Sequence, residues 1–187
     1  MLFMNGCMEL NKEEILDLIS KYNTSYAEGE CYLFNIVGKN IINRGYFKKE
    51  ELLDIVRWKS ARAIRKAEAN SDEAIEKITK FAFEIDSEEV KISVLTSLNG
   101  VSIPMASSIL TIPLPEKYGV IDIRGWQTLY NFGLVDYKKD VFNVKDWLLY
   151  LRTIRALSDK FSVTPREIDK SIFMYDKINR KGNLYKT

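Results

Sequence analysis

The sequence predicts an all-α protein, and three observations lead to that prediction. Apolar residues recur at helical spacing along most of the 187 residues, in about ten short segments. Residues that favour helix N-termini precede several of these segments. No run of residues has the alternating pattern that would predict a sheet. Since the chain also lacks an internal repeat or an obvious linker, we expect residues 1–187 to form a single domain.

The N-terminal half is predicted to form a series of capped helices. Asn11 can begin the first one with a capping box, and a loop at 23–25 should end it. Gly45 is suited to the left-handed position that closes the second helix. Ser71 and Ser87 are the predicted caps of two later helices. The helices expected in this half cover about 11–22, 28–42, 48–59, 60–69, 71–84 and 87–98.

The C-terminal half continues in the same way. Its last helix has the clearest start, because Thr164 can act as the cap, Pro165 suits the first helical position and Glu167 can complete a capping box. The tail over 179–187 is basic and is expected to be loose. The helices expected in this half cover about 103–111, 122–132, 143–160 and 164–178.

One stretch, 95–124, combines features that suggest chemistry. An apolar helix is followed by a turn at Gly100 and by a short helix rich in small residues. A proline-punctuated loop then leads through a β-like Val120-Ile121 pair to Asp122, where a new helix should start. A tight turn between two helices can present backbone amides to a phosphate. A single carboxylate delivered nearby could take part in a reaction.

Composition excludes several kinds of site. The chain has no histidine, which removes Ser-His and Cys-His nucleophiles and most zinc sites. Its two cysteines, Cys7 and Cys31, have no metal-ligand spacing, so we expect no metal, no cofactor and a cytoplasmic protein with free thiols. The N-terminal segment lacks the features of a signal peptide, and no apolar run is long enough to span a membrane.

The motif Leu98-Asn99-Gly100-Val101-Ser102, with Ala106, Ile109 and the Val120-Ile121-Asp122 triplet, resembles the helix–hairpin–helix DNA glycosylase superfamily. That family has a Leu-Pro-Gly-Val-Gly hairpin followed by a Val-Asp pair, and the separation of Gly100 from Asp122 matches its endonuclease III-like pattern. The hairpin would span about 90–111. The resemblance implies an all-α fold with a cleft between two helical lobes and the aspartate at its mouth.

Two further elements resemble a small bacterial subgroup of this superfamily. They are Trp58-Lys59-Ser60-Ala61-Arg62 and Pro165-Arg166-Glu167-Ile168-Asp169. The chain also departs from the family pattern. Ser102 replaces the second hairpin glycine, where a serine would be strained if φ were positive, although its hydroxyl could donate to a phosphate. Pro104 stands where the lyase-active branch has a lysine, and the iron–sulfur cysteines are absent, so the resemblance implies no lyase activity.

The resemblance gives Asp122 the catalytic role. A fixed carboxylate can stabilise the positive charge that develops on the sugar as an N-glycosidic bond breaks, and it can hold or activate water. Asp122 also suits a purely structural role as a helix cap. The two roles are compatible, because capping amides are expected to lower the pKa of Asp122 and keep it ionised.

The remaining candidate residues would bind DNA. The backbone of Gly100, Val101 and Ser102 would contact a phosphate, with Lys59, Arg62 and Arg124 as further candidates. Since the bond is unreachable inside a duplex, the nucleotide must flip into a pocket. Candidates for that pocket are Tyr32, Phe34, Trp58, Tyr118, Trp126 and Asp169. Aromatic residues at helical spacing usually belong to the core, so a core position is the alternative for each of these rings, and an acid in the first turn of a helix is common.

Three functions are open at this point. The first is a monofunctional DNA glycosylase, acting as a monomer near the nucleoid on a damaged or modified base, in repair or against phage DNA. The second is a non-catalytic DNA-binding protein that retains the fold, which Ser102, Pro104 and the net charge of only +2 favour. The third is a helical interaction protein in which the motif is accidental.

Overall fold

The computed structural model describes residues 11–184, which form helices joined by turns and contain no strand. The all-α prediction is therefore confirmed. Cys7 and the last residues of the predicted basic tail lie outside the described residues. None of the helices within 11–184 is both long and apolar enough to cross a membrane.

The first helical rod, formed by residues 12–44, is longer than the first predicted helix. Helix α1 (Lys12–Tyr32) continues through a π-helical turn (Leu33–Val37) into α2 (Gly38–Arg44). The predicted loop at 23–25 is wrong, because the Thr24 and Ser25 hydroxyls each donate to a backbone carbonyl one helical turn earlier, at 3.0 Å. Their polar side chains are thereby accommodated inside a helix. The predicted capping box at Asn11 and the left-handed Gly45 (φ 86°) are confirmed.

The next helices follow the prediction closely. They are α3 (Lys49–Ser60), a 3-10 turn (Ala61–Ala63), α4 (Ile64–Glu68), α5 (Asp72–Glu84) and α6 (Glu88–Leu95). Ser71 caps α5 by accepting from the Ala74 amide, and Ser87 caps α6 by accepting from the Val90 amide. Helix α6 ends before the predicted residue 98, because Thr96 and Ser97 bend the chain into turns whose amides bond carbonyls three residues earlier.

The C-terminal helices are α7 (Ile103–Thr111), α8 (Ile123–Asn131), α9 (Val144–Phe161) and α10 (Pro165–Asn179). Thr164 forms the predicted capping box with Glu167. The β-like pair before Asp122 belongs to no strand. The Val120 amide donates instead to Asp169 Oδ2 at 2.8 Å, and the Ile121 amide to Ser107 Oγ at 3.2 Å.

A single large core holds most of these helices together. Trp126, Trp147, Tyr150 and Phe47 are among its largest fully buried side chains. A smaller cluster joins α1 to α10 through Tyr22, Tyr26 and Phe173. Since α10 packs on α1, α8 and α9, this helix connects the first helical rod to the segment that carries Asp122.

Candidate active site

Asp122 is the N-cap of α8, and its position is fixed from three sides. Its Oδ1 accepts a hydrogen bond from the Gly125 amide at 2.8 Å. The two preceding amides are held by side chains of α7 and α10. At Gly119 the backbone passes so close to α10 that an added Cβ would lie 3.0 Å from the Asp169 Cβ and 3.1 Å from the Pro165 carbonyl oxygen. A side chain at position 119 would push this segment and α10 apart by a few tenths of an ångström, so glycine suits the close approach.

The net effect of the surroundings of Asp122 is to raise the pKa of its carboxyl. Although 21% of the side chain is exposed, protein surrounds the carboxylate closely, and burial raises its pKa above the ordinary value. Lys59 Nζ, 3.8 Å from Oδ2, opposes this rise, whereas the negative charge of Asp169 adds to it. The capping amide of Gly125 does lower the pKa of Asp122, as expected, but loss of solvation outweighs this hydrogen bond, so the net shift of the pKa is upward.

Two cavities meet at Asp122 and Lys59. We call the larger one, of about 690 Å³, the inner pocket, and the smaller one, of about 400 Å³, the outer groove. The inner pocket lies among α1, α3, α10 and the segment before α8. The outer groove extends from Asp122 to the start of α7. Asp122 therefore borders both a cavity beside α1 and α10 and a cavity that leads to the hairpin.

Aromatic rings line much of the inner pocket. Tyr22, Tyr26 and Phe173 form one cluster, with ring centroids 4.8 to 5.8 Å apart. Trp58 lines the pocket from α3. Phe34 does not line it and instead meets the Trp58 ring edge-on at 6.4 Å. The pocket thus offers flat apolar surfaces, and Phe34 supports one of them.

A buried charge network borders the same pocket. Arg166 Nη2 donates to Glu30 Oε1 at 2.6 Å and to the Tyr22 hydroxyl at 3.0 Å, while Nη1 donates to Asp169. The Arg166 guanidinium also lies 6.0 Å from the centroid of the Trp58 ring. Its Nε has no hydrogen-bond partner among the described residues. This network joins α1 to α10 and holds Asp169 against the Val120 amide.

The predicted turn at Gly100 has the left-handed conformation, with φ of 80°. A Cβ there would lie 2.9 Å from the Ala67 amide nitrogen and 3.1 Å from the Ala63 carbonyl oxygen. Glycine is required for both reasons. The Asn70 side chain fixes the same turn, since it accepts from the Asn99 amide at 2.8 Å and donates to the Asn99 carbonyl at 2.9 Å. The hairpin turn consequently packs on the basic segment that contains α4.

Ser102 is not strained, because its φ is −87°. It occupies the N-cap position of α7, but its hydroxyl makes no capping hydrogen bond. The side chain is exposed and borders the outer groove, whereas Val101 is buried. The start of α7 is therefore open on the groove side and has a free hydroxyl beside it.

The three basic residues predicted to bind DNA all line a cavity, but they differ in exposure and in ion pairs. Lys59 borders both cavities, and Arg62 is exposed at the outer groove. Arg124 also lines the groove, but its guanidinium pairs with Asp176 at 2.9 Å and lies over the Phe173 ring at 5.6 Å. Arg124 is thus held by α10 and does not pair with Asp122.

Besides Phe34, three further predicted pocket residues lie outside the inner pocket. Tyr32 is 53% exposed on α1 and lines neither cavity. Tyr118 is buried, stacks on Trp147 at 6.3 Å and donates to Glu88 at 3.1 Å. Trp126 is fully buried and donates to the Tyr137 carbonyl at 2.9 Å. For the last two, the structural alternative is the correct one, since their rings fill the core.

The sequence analysis missed part of the inner pocket. Tyr22, Tyr26, Arg166 and Phe173 line it, and Glu30 lies behind Arg166. Arg166 belonged to an element already noted in the sequence, but nothing there indicated that its guanidinium is buried. Tyr22 and Tyr26 have the i, i+4 spacing of one helix face, and the predicted loop at 23–25 concealed that relationship. Within 11–184, no group of three or more acidic or cysteine side chains is placed to hold a metal ion.

Comparison with known proteins gave one similar structure. No family model matches the chain, and no curated protein matches it. The crystal structure of the Methanocaldococcus jannaschii 8-oxoguanine glycosylase/lyase, in complex with a 15mer DNA containing 8-oxoguanine, aligns with 92% of this chain and 84% of its own. The sequence identity is 19% and the TM-score is 0.49. Similarity at this level assigns neither a family nor an activity to the chain.

Proposed function

We propose that this protein is a DNA glycosylase that hydrolyses the N-glycosidic bond of a damaged or modified nucleotide. The observation that carries the proposal is the position of Asp122, whose carboxylate borders both the inner pocket and the outer groove. A flipped nucleotide has the same two-part requirement. Its base needs a pocket of its own, while its sugar and phosphates lie in the neighbouring groove. A carboxylate at the junction lies where the bond between base and sugar would be.

The chemistry suits a single carboxylate. As the bond breaks, positive charge develops on the sugar, and the Asp122 carboxylate can stabilise that charge and orient a water molecule for attack. Reduced solvation strengthens such an interaction. It also raises the pKa of Asp122, so the carboxylate accepts a proton from water more readily than an exposed aspartate does.

The inner pocket has suitable properties for a base. Its volume of about 690 Å³ is in the range of small-molecule sites. The Trp58 ring and the cluster around Phe173 provide surfaces for stacking. Arg166 adds a positive charge to the lining of the pocket.

The outer groove would hold the DNA backbone. The Ser102 hydroxyl, the open start of α7 and the side chain of Arg62 surround it. These groups bind phosphate without reading sequence. The motif resemblance to helix–hairpin–helix glycosylases supports this placement. We also propose a cytoplasmic monomer that acts on chromosomal or phage DNA.

Hydrolysis is the proposed route of base release. Pro104, at the position where the lyase-active branch has its lysine, has no amine to attack the sugar. Water activated at Asp122 is then the nucleophile, and the hairpin contributes binding only. The proposed glycosylase is therefore monofunctional, because water and not a lysine attacks the sugar.

The alternative is a DNA-binding protein without catalysis. One observation favours it: Asp122 caps α8 through the Gly125 amide, a structural role that requires no reaction. Under this alternative the hairpin still contacts phosphate, but no base is released.

A base-release screen separates the two functions. Purified protein is incubated with duplexes that carry a panel of damaged and modified bases, and abasic sites are detected as alkali-labile breaks. Asp122→Asn is the test variant because asparagine also caps helices well, so α8 should be retained. Asp86→Asn, an exposed residue before α6 that lines neither cavity, is the matched control. DNA binding without base release on any substrate would favour the alternative.

A further inference from the structure

The chain after α10 forms one wall of the outer groove. Helix α10 ends at Asn179, and the structure describes the following residues as far as Leu184. Leu184 is half-buried and lines the outer groove together with Asp122 and Ser102. The C-terminal tail, which we define as residues 180–184, therefore lies at the surface where the proposed function places the DNA backbone.

The base of the C-terminal tail is fixed by hydrogen bonds. Arg180 donates from Nε to Asp176 Oδ2 and from Nη2 to Gln127 Oε1, both at 2.9 Å. The Arg180 amide also donates to the Asp176 carbonyl at 2.9 Å. The tail then turns at Gly182, whose φ of 95° lies in the left-handed region that favours glycine. Leu184 thus follows a glycine turn on a fixed base.

The end of the C-terminal tail is held less firmly than its base. Within the described part of the chain, residues 181–184 form no hydrogen bond and no ion pair. The Leu184 side chain lines the groove with apolar side chains of α7, α10 and the loop before α9, which are Met105, Phe173 and Phe142. Burial of apolar surface is therefore what keeps this end in the groove, and one substitution at Leu184 should release it.

A DNA strand and the C-terminal tail compete for the same space. With Leu184 as part of its wall, the outer groove has a volume of about 400 Å³, near the lower end of small-molecule sites. A flipped nucleotide remains joined to its strand on both sides, so its phosphates need a groove that continues past the sugar. Arg62 and Arg124 line the groove and attract phosphates, whereas the apolar side chain of Leu184 does not. Bound DNA therefore favours departure of the tail.

We propose that the C-terminal tail is an autoinhibitory strap, which closes the outer groove in the free protein and leaves it when DNA binds. This inference rests on the proposed function for the place where DNA binds, and not for the release of a base. The closed state has Leu184 in the groove, and the open state binds DNA. Because only the open state binds, the observed Kd equals the Kd of the open state divided by the open fraction. A substitution that weakens the closed state alone therefore tightens DNA binding.

Leu184→Ala is the variant that tests this strap. It removes the apolar contact, keeps the net charge and lies outside the helices, so the fold should be retained. The probe is a fluorescent duplex with one tetrahydrofuran residue, which has no base to release, and anisotropy gives the Kd at a fixed salt concentration. We expect the Kd of Leu184→Ala to be at least about threefold lower than that of wild type. Leu16→Ala, the same change at an exposed leucine that lines neither cavity, should bind as wild type does.

A second measurement follows the tail directly in wild-type protein. The methyl groups of Leu184 are labelled with carbon-13, and their NMR signals are assigned as those lost in Leu184→Ala. In the free protein, the rings of Phe142 and Phe173 should shift these signals away from the positions of an exposed leucine. Saturating duplex should return the signals to those positions, because the tail leaves the groove.

The outcomes separate the strap from the proposed function. Equal or weaker binding by Leu184→Ala, or methyl signals that do not move at saturating DNA, overturns the strap and leaves base excision intact. Tighter binding and a methyl shift, with no base released from any substrate of the screen, support the strap while the glycosylase proposal fails. If neither wild type nor Leu184→Ala binds the duplex, both proposals fail.

Discussion

Asp169 Oδ2 accepts a hydrogen bond from the Val120 amide at 2.8 Å, and this contact joins α10 to the segment that delivers Asp122. Asp169 also pairs with Arg166. Arg166 in turn pairs with Glu30 of α1. The position of the proposed catalytic carboxylate therefore depends on a buried charge network between the first and last helices.

Removal of Asp169 should destabilise the fold strongly. Asp169→Ala leaves the Val120 amide and part of the Arg166 guanidinium buried without a partner, and the expected loss is about 3–5 kcal/mol in the free energy of unfolding. Urea unfolding monitored by circular dichroism measures it. Asp86→Ala, at an exposed site, should change stability by less than about 0.5 kcal/mol. Equal effects at the two positions would show that the network contributes little.

Neutralising Asp122 should stabilise the folded protein at neutral pH. Burial raises the pKa of Asp122 in the folded state above its unfolded value. Its contribution to stability is therefore complete below the unfolded pKa and is lost as the pH rises through the folded pKa. Asp122→Asn should thus be more stable than wild type at pH 7, and the difference should disappear under acidic conditions, below about pH 4.

Unfolding of both proteins by urea across this pH range measures the effect. A variant that is less stable than wild type at pH 7 would mean that the charged pair with Lys59 outweighs desolvation. Asp86→Asn is again the control, and its stability relative to wild type should not follow this pH dependence.

The hairpin turn should tolerate no side chain at Gly100. Gly100→Ala combines a positive φ with close contacts to the Ala67 amide and the Ala63 carbonyl. Gly45 has a similar φ of 86° but open space around it, so Gly45→Ala isolates the backbone cost of about 1–2 kcal/mol. Gly100→Ala should lose about 1–3 kcal/mol more in unfolding experiments because of overpacking. Equal losses would mean that the turn can move away from α4.

Arg62 should contribute to DNA affinity through charge alone. Since it is exposed at the outer groove, Arg62→Gln should weaken binding similarly for all sequences. The slope of log K against log salt should fall in magnitude by about 1, as expected for one lost phosphate contact. Fluorescence anisotropy at several salt concentrations measures this slope. Lys80→Gln, at an exposed residue of α5 that lines neither cavity, should leave it unchanged. An unaltered slope for Arg62→Gln would place the DNA elsewhere.

Local signals in the sequence were sufficient for most helix boundaries. Capping boxes at Asn11 and Thr164 are read from residues three apart, and the structure contains both. The loop prediction at 23–25 failed because Thr24 and Ser25 can also satisfy their hydroxyls within a helix. Composition alone does not distinguish these two outcomes.

The candidate site likewise has a part that local sequence signals predict and a part that they do not. Gly100 and Asp122 belong to one short motif, so the sequence could indicate both. The inner pocket instead requires α1 and α10 to meet, and its Tyr22 and Arg166 are far apart in the chain. Trp58 and Trp126 are both tryptophans in predicted helices, yet one lines the pocket and the other fills the core. Only tertiary packing decides between these positions.

The most direct test of the proposed function is single-turnover release of free base by wild-type protein and Asp122→Asn at equal DNA occupancy. The substrate is the duplex that gives the highest yield of abasic sites in the screen, and mass spectrometry quantifies the released base. We predict that Asp122→Asn releases base at least about 100-fold more slowly, because it cannot stabilise positive charge on the sugar or accept a proton. Release at the wild-type rate by this variant would contradict the catalytic role of Asp122.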